Sequence, residues 1–297
     1  MIELRRLSKR YRTSAVLDDL TATVGPGQVT ALVGPHEAGK TTVLRLIVGL
    51  VAPTRGTATV MGRRYADLPD PMRRVGVLLD PPGAHGGLRV RDHLLWLARS
   101  NGIPRRRVAE VCGLTGLDGT RRHRIRTLPP GLRLRLAVAG TLLGDPETLI
   151  YDSPAAGFAP AGADWAGALL RGLAGAGRTV LVTGRRIDEL DGVAERFLVL
   201  HRGRLVADGS ADDLMRADAA ERVLVRCDDP GYLARRLAEA GAVVRFAGRD
   251  GLLVTGLHGA EIHRLTVRCA VRLHELTPQR TTLEQAYRVL TTPPGTP

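Results

Sequence analysis

The sequence contains few aromatic residues, few cysteines and almost no lysine. Aromatic side chains make up 3% of its 297 residues, and its three cysteines are Cys112, Cys227 and Cys269. An odd number of widely spaced cysteines indicates neither a disulfide framework nor a zinc site. Lysine occurs only at Lys9 and Lys40, so arginine carries nearly all of the positive charge.

Long hydrophobic runs are also missing. No stretch approaches the roughly 20 apolar residues of a membrane-spanning helix, and the start, Met1–Arg6, lacks the apolar centre of a signal peptide. We therefore expect a cytoplasmic protein. A chain of 297 residues has room for one large domain and one small domain.

The formal net charge of +13 indicates an anionic partner, namely nucleic acid, a membrane surface or a nucleotide. The arginines are spread along the chain, and they do not alternate with aromatic residues as in nucleic-acid-binding patches. An arginine-rich genome composition accounts for the charge about as well. Charge alone therefore does not select a function.

One stretch carries a specific chemical signal, the pattern G-x-x-x-x-G-K-S/T between the apolar run Val29–Val33 and a helical run, Thr42–Leu50. In this context backbone N–H groups and the helix N-terminus bind a phosphate. Lys40 reaches the β- and γ-phosphates, and the Thr41 hydroxyl can bind Mg²⁺. The alternative, a glycine-rich turn without a ligand, fits the full motif less well. The predicted nucleotide-binding residues are Gly34, Pro35, His36, Glu37, Ala38, Gly39, Lys40, Thr41 and Thr42.

Two residues of this loop are unusual for a site that binds anions. Glu37 places a carboxylate there, and His36 is also uncommon at its position. We therefore expect weak nucleotide affinity.

The start of the chain extends the signal beyond the loop. The segments Leu7–Tyr11, Leu17–Leu20 and Gly25–Pro35 resemble the opening of an ABC-transporter nucleotide-binding domain, of the type found in bacterial drug exporters. The resemblance implies that Tyr11, expected between the first two strands, stacks on adenine. It also implies ATP and Mg²⁺ as ligands.

The expected fold class is α/β. The resemblance implies a P-loop NTPase core of the ABC type at residues 1–215, with a helical subdomain at about 85–143. From about residue 221 the pattern of short strands and helices predicts a small C-terminal α+β domain at 221–292. Residues 293–297 are expected to form a disordered tail. The resemblance covers the first part strongly and the tail loosely.

The catalytic positions of the family are replaced in this chain. Asp152 ends an apolar run, and the resemblance implies that it holds Mg²⁺ through water. The family's water-polarising glutamate corresponds to Ser153, and its γ-phosphate histidine corresponds to Arg185. Its γ-phosphate-sensing glutamine corresponds to Asp80, which can still bind Mg²⁺, and an interface aspartate corresponds to Ala159. Arg185 either clamps the γ-phosphate as a fixed cation or reflects drift in an arginine-rich chain.

The family's Leu-Ser-Gly-Gly-Gln-like signature is also altered. Here the run reads Leu-Pro-Pro-Gly-Leu, with Pro129 at the position of the serine hydroxyl. Proline has no backbone N–H, so of the core of the motif only the Gly131 amide remains.

These observations predict an ATP-binding subunit of an ABC transporter that couples to an integral membrane permease. We expect it on the inner face of the cell membrane, as a homodimer or as a heterodimer with another nucleotide-binding domain, with impaired hydrolysis. A working ATPase that uses other residues is the second hypothesis. A nucleotide-gated protein acting on nucleic acid is the third, and it has the least support.

Overall fold

The computed structural model describes residues 1–12, 14–79, 84–153, 160–217, 222–279 and 282–291. The chain divides into two compact units. The first is Met1–Ala211 together with the end of the chain from Leu290, and the second is Asp212–Val289. Within the described ranges, no helix combines the length and the apolar character needed to cross a bilayer.

The first unit contains an antiparallel sheet of three strands. Its strands are β1 (Ile2–Tyr11), β2 (Ser14–Val24) and β4 (Arg55–Val60), in the order β2-β1-β4. The pairing register of β1 with β2 and with β4 shifts near Arg5 and Arg6, and Arg6 has a φ of 49°. This β-bulge lets both arginines stay exposed between buried leucines, and strand β1 continues past it to Tyr11.

Tyr11 therefore does not lie between the first two strands, as the sequence predicted. It is the last residue of β1, and it pairs with Ser14 of β2 across the hairpin. The error has a local cause, because the bulge at Arg5 breaks the alternation of apolar and polar residues by which a strand is recognised.

The second sheet of this unit has six strands in the order β5-β6-β7-β3-β8-β9. All of its pairings are parallel except that of β8 with β9. Strands β3, β6 and β7 are buried throughout, as expected for parallel strands covered on both faces. The strands are β3 (Val29–Val33), β5 (Val75–Leu78), β6 (Thr148–Tyr151), β7 (Thr179–Gly184), β8 (Arg196–His201) and β9 (Arg204–Gly209).

Helix α1 follows β3 after the loop 34–39. It begins at Lys40, two residues earlier than predicted, and it ends at Ile47 because Gly49 turns the chain with a φ of 71°. The other helices of this unit are α2 (Pro71–Arg74), α3 (Val90–Ser100), α4 (Arg106–Leu114), α5 (Pro130–Leu142) and α6 (Pro160–Gly175). Helix α7 (Ala211–Ala217) belongs to the second unit from Asp212 onward.

The second unit begins with most of α7, continues in the order βαββαβ and ends within α10. Its antiparallel sheet runs β11-β12-β10-β13, which is the ferredoxin-like arrangement. The sequence predicted an α+β unit here. Its last strand, β13, starts at Leu273 because Ala270, with a φ of 53°, turns the chain after α9. The elements are β10 (Arg222–Cys227), α8 (Pro230–Glu239), β11 (Val243–Phe246), β12 (Gly251–Thr255), α9 (Gly259–Arg268), β13 (Leu273–Gln279) and α10 (Leu283–Thr291).

Candidate functional site

The parallel strands of the first unit deliver several polar segments to one edge of the sheet. Strand β3 lies between β7 and β8, and Val33 pairs with Gly184 on one side and with Val199 on the other. Ligands of open α/β sheets bind beyond the carboxyl ends of such strands. A cavity of about 1080 Å³ opens here, and its lining includes Ser14, Ala15, Val16, His36, Glu37, Gly39, Lys40, Thr41, Thr42, Leu134, Asp152, Ser153, Arg185, Arg202 and Gly203.

The loop after β3 depends on its glycines. A Cβ atom on Gly34 would lie 2.3 Å from the Leu200 carbonyl oxygen, and one on Gly39 would lie 2.8 Å from Leu17 Cδ2. Gly39 also has a φ of 104°. Both positions therefore exclude other residues, and the backbone can approach a bound group closely.

Glu37 occupies a third position that favours glycine, because its φ is 64°. Its side chain is 87% exposed, and its Oε1 lies 3.9 Å from Nδ1 of His36. Solvent therefore weakens the repulsion between this carboxylate and a bound anion. Glu37 affects the loop through its left-handed backbone as well as through this weakened charge.

The Lys40 side chain is buried and holds the loop together. Its Nζ atom donates hydrogen bonds to the carbonyl oxygens of Gly34, at 2.7 Å, and of Pro35, at 2.8 Å. Burial lowers the pKa of Lys40, Asp152 opposes that shift and Arg185 adds to it. An anion beside Lys40 would favour its charged form.

Thr41, Asp152 and Thr183 form a connected polar group. The Thr41 hydroxyl donates to Oδ2 of Asp152 at 2.8 Å, and the Thr183 hydroxyl donates to Oδ1. Hydroxyl and carboxylate oxygens are the ligands that Mg²⁺ prefers. The described residues contain no group of three or more His, Cys, Asp or Glu side chains that could hold a metal ion. The hydroxyl of Thr41 and the carboxylate of Asp152 are a donor pair that fits Mg²⁺.

Ser153 and Arg185 lie in the same cavity. The Ser153 backbone N–H donates to Thr183 Oγ1 at 2.8 Å, its own hydroxyl lies 3.4 Å from that atom, and its φ is 46°. Arg185 follows β7 and is exposed. Two further predicted positions, Asp80 and Ala159, lie outside the described residues, as does the tail at 293–297.

Comparison with known proteins identifies the family. The family described as "ABC transporter" matches residues 17–156. The daunorubicin/doxorubicin resistance ATP-binding protein DrrA of Streptomyces peucetius is 32% identical over 233 residues, covering 77% of this chain and 71% of that protein. The chain belongs to the ABC transporter ATP-binding proteins.

Other comparisons agree with this assignment. The Nod factor export ATP-binding protein I of Cupriavidus pinatubonensis is 34% identical over 222 residues, which cover 72% of this chain and 68% of that protein. A structure of the ATP-binding subunit of an ABC transporter superposes with a TM-score of 0.66 at 26% identity. The superposition covers 73% of this chain and 92% of that chain. Residues 221–284 match a domain of unknown function, DUF8746. The predicted family and the P-loop fold are thus confirmed.

In this ABC ATP-binding chain the signature segment lies apart from the cavity. Pro129 precedes α5 and Pro130 is its first residue, and both are exposed. Arg133 holds the segment by donating from Nε to the Leu128 carbonyl and from Nη2 to the Arg126 carbonyl, both at 2.9 Å. The prolines and Gly131 do not line the cavity, although Leu134 of the same helix does.

Tyr11 is also not among the cavity-lining residues. Its side chain is 44% exposed, and Nζ of Lys9 lies 4.9 Å from its ring centroid. Its hairpin partner Ser14 does line the cavity. Stacking of adenine on Tyr11 therefore stays a prediction.

Sequence reasoning missed three polar residues of the site, Ser14, Thr183 and Arg202. Tyr151 pairs with Val182, so Asp152 and Thr183 follow at equivalent positions of neighbouring strands. Alignment of the strand ends could have found Thr183. No motif marks Arg202, which reaches the cavity only through the position of β8 beside β3.

Proposed function

We propose that this chain binds ATP·Mg²⁺ as a subunit of an exporter-type ABC transporter, couples to a membrane permease and turns over ATP poorly. The observation that supports the proposal best is the grouping of Lys40, Thr41 and Asp152 in one cavity, while Ser153 stands where the family has its catalytic glutamate. The names of the two relatives, a resistance protein and an export protein, favour export.

Phosphate binding rests on the loop and on Lys40. The ammonium group now satisfies two carbonyl oxygens, and it lies at the N-terminus of α1, where the helix dipole favours an anion. A triphosphate would give Lys40 a stronger partner than either carbonyl oxygen, since hydrogen bonds between charged groups are about twice as strong as neutral ones.

Magnesium would be held by Thr41 and Asp152. Their oxygen atoms are already 2.8 Å apart. The ion would supply positive charge beside the terminal phosphates. The carboxylate of Asp152 is oriented for this role by the Thr183 hydroxyl.

Slow turnover follows from the missing base. A serine hydroxyl cannot accept a proton from water at neutral pH, and the Ser153 hydroxyl is directed at Thr183. The family resemblance places the signature of one subunit against the nucleotide of the other. Pro129 and Pro130 would then remove contacts in trans, both in a homodimer and in a heterodimer. Loss of a general base or of polar transition-state contacts costs roughly 10²-fold or more in rate each.

The test uses the chain co-expressed with a multi-spanning membrane protein chosen as its candidate permease. We expect the pair to co-purify from the membrane fraction, to bind ATP·Mg²⁺ in calorimetry and to show almost no steady-state hydrolysis. Ser153→Glu alone should not restore hydrolysis, because Arg185 and the signature remain altered. Robust turnover that Lys40→Ala abolishes would instead favour a working ATPase, and failure to co-purify would remove the permease from the proposal.

A further inference from the structure

We propose that Arg202 binds the α-phosphate and ribose end of the nucleotide, an inference that rests on the proposed function of this cavity. Arg202 lines the cavity together with Lys40 and Thr41. It is exposed, and none of the described residues forms a hydrogen bond or ion pair with its side chain. A charged, unpaired guanidinium at the wall of a phosphate-binding cavity is a ready donor for a phosphate oxygen.

The hairpin that carries Arg202 is held in place by the phosphate loop itself. The Gly203 N–H donates to the Ala38 carbonyl at 3.2 Å, and the Gly203 carbonyl accepts from the Asp18 N–H at 3.0 Å. A Cβ atom on Gly203 would lie 2.4 Å from the Val16 carbonyl oxygen. Arg202 is therefore anchored to the loop on one side and to β2 on the other, and it does not depend on a mobile segment for its position.

The backbone at Arg202 is unfavourable for arginine. Arg202 and Gly203 form the two-residue loop between β8 and β9, with φ values of 47° and 78°. Two-residue loops with positive φ at both positions favour Asn-Gly or Asp-Gly. Arginine at the first position makes the loop backbone less stable than asparagine or aspartate would. The chain thus keeps a guanidinium here although a turn-forming residue would suit the loop better.

The strand order decides which end of the nucleotide Arg202 meets. Asp152 and Arg185 follow β6 and β7, on one side of β3, and Arg202 follows β8 on the other side. The terminal phosphates and the metal belong with Lys40, Thr41 and Asp152. A nucleotide whose γ-phosphate lies on the β7 side extends its α-phosphate and ribose toward β8. The cavity wall near Arg202 also includes Ser14, Ala15 and Val16 of the first hairpin.

This placement distinguishes Arg202 from Arg185. Both ATP and ADP carry the α-phosphate, so a contact at that end supports both nucleotides equally. A contact to the γ-phosphate would favour ATP alone. The ratio of the two affinities therefore reports which end a residue contacts.

The experiment measures the binding of ATP and ADP, each with Mg²⁺, by calorimetry on the full chain. The test variant is Arg202→Asn, which suits the turn and so removes the guanidinium without endangering the fold. Arg204→Asn is the matched control, because Arg204 is in the same hairpin but pairs with Asp18, at 3.0 Å, and does not line this cavity. Arg202→Lys separates charge from guanidinium geometry.

We expect Arg202→Asn to weaken ATP and ADP alike, by about tenfold, as for the loss of one charge-assisted hydrogen bond. Arg204→Asn should leave both affinities within about twofold, the range of an exposed ion pair. Unchanged binding by Arg202→Asn, or a loss confined to ATP, would overturn the inference while leaving the proposed function standing. A wild-type chain that binds neither nucleotide would overturn both.

Discussion

Two helices of the first unit begin in opposite ways. Helix α1 starts at Lys40 after a glycine-rich loop, whereas α5 starts at Pro130 after a second proline, Pro129. Each N-terminus carries the positive end of a helix dipole. Only the first also offers a lysine, and the second has fewer backbone donors, since Pro129 and Pro130 have no N–H to donate.

The difference teaches that a helix dipole alone does not make an anion site. At α1 the donors, Lys40 and the Thr41 hydroxyl line a cavity, and at α5 the corresponding residues lie outside it. The family resemblance assigns nucleotide binding to the first terminus and contact across a dimer to the second. This chain therefore retains the residues with which the family binds the nucleotide at α1. Its signature segment at α5, which in the family contacts the nucleotide of the second subunit, is altered. Four predictions test this contrast.

The largest effect is expected at α1. Lys40→Ala removes both the phosphate ligand and the hydrogen bonds that hold the Gly34 and Pro35 carbonyls, so ATP affinity should fall at least about 100-fold. Arg45→Ala is the matched control, because it removes one exposed charge from the same helix outside the cavity. Calorimetry on the two variants gives the result. Equal binding by wild type and Lys40→Ala would remove the contrast between the two termini.

The next effect is expected at α5. Replacing both prolines, Pro129→Ser with Pro130→Gly, supplies a hydroxyl and two backbone donors. If this terminus meets the nucleotide of a second copy, ATP-dependent dimerisation should strengthen about tenfold, as for one or two added hydrogen bonds. ATP affinity of the single chain should not change.

Sedimentation velocity with ATP·Mg²⁺ measures the dimer. Pro230→Gly makes the same kind of change at the start of α8, in the other unit, and serves as the control. If ATP-dependent dimerisation is as strong in the Pro129→Ser, Pro130→Gly variant as in the wild type, the assigned role of the signature segment is contradicted.

A smaller effect is expected from pH. Burial lowers the pKa of Lys40 from its ordinary value of 10.5. Between the lowered value and 10.5 the unfolded chain holds more protons than the folded one, so the ligand-free fold gains stability as pH rises through that window. ATP favours the charged ammonium, so ATP affinity should fall as the pH rises through the lowered pKa of Lys40.

Titration calorimetry in buffers of different ionisation enthalpy would detect the accompanying proton uptake. Lys40→Arg provides the comparison, because a guanidinium stays charged throughout this range. A pH dependence that persists unchanged in Lys40→Arg would have to come from another group.

The smallest effect is expected at Glu37. Glu37→Gly relieves a left-handed backbone and removes an exposed carboxylate, so ATP binding should tighten about two- to threefold. Glu37→Gln keeps the backbone constraint and removes only the charge. If Glu37→Gln binds ATP as tightly as Glu37→Gly, the lost charge explains the gain in affinity. If Glu37→Gln binds ATP like the wild type, the relieved backbone strain explains it. No gain in either variant would show that this residue does not weaken the loop.

Part of this molecule could be predicted from short stretches of sequence. The phosphate loop, the carboxylate that follows β6 and the altered signature are all patterns of consecutive residues, so they were visible without the structure. The same holds for buried strands such as Val29–Val33, whose apolar run predicts burial on both faces. These features depend on local backbone conformation and on burial, both of which consecutive residues encode.

The tertiary structure decided what lies beside those features. The hydrogen bond from Thr183 to Asp152, the approach of Arg202 to the cavity and the ferredoxin-like order of the second unit all join residues far apart in the chain. Each depends on which strands pair and in what register, and a single sequence does not display that choice. The sequence by itself predicted a phosphate-binding loop after β3, and the order of strands around β3 determined which side chains surround that loop.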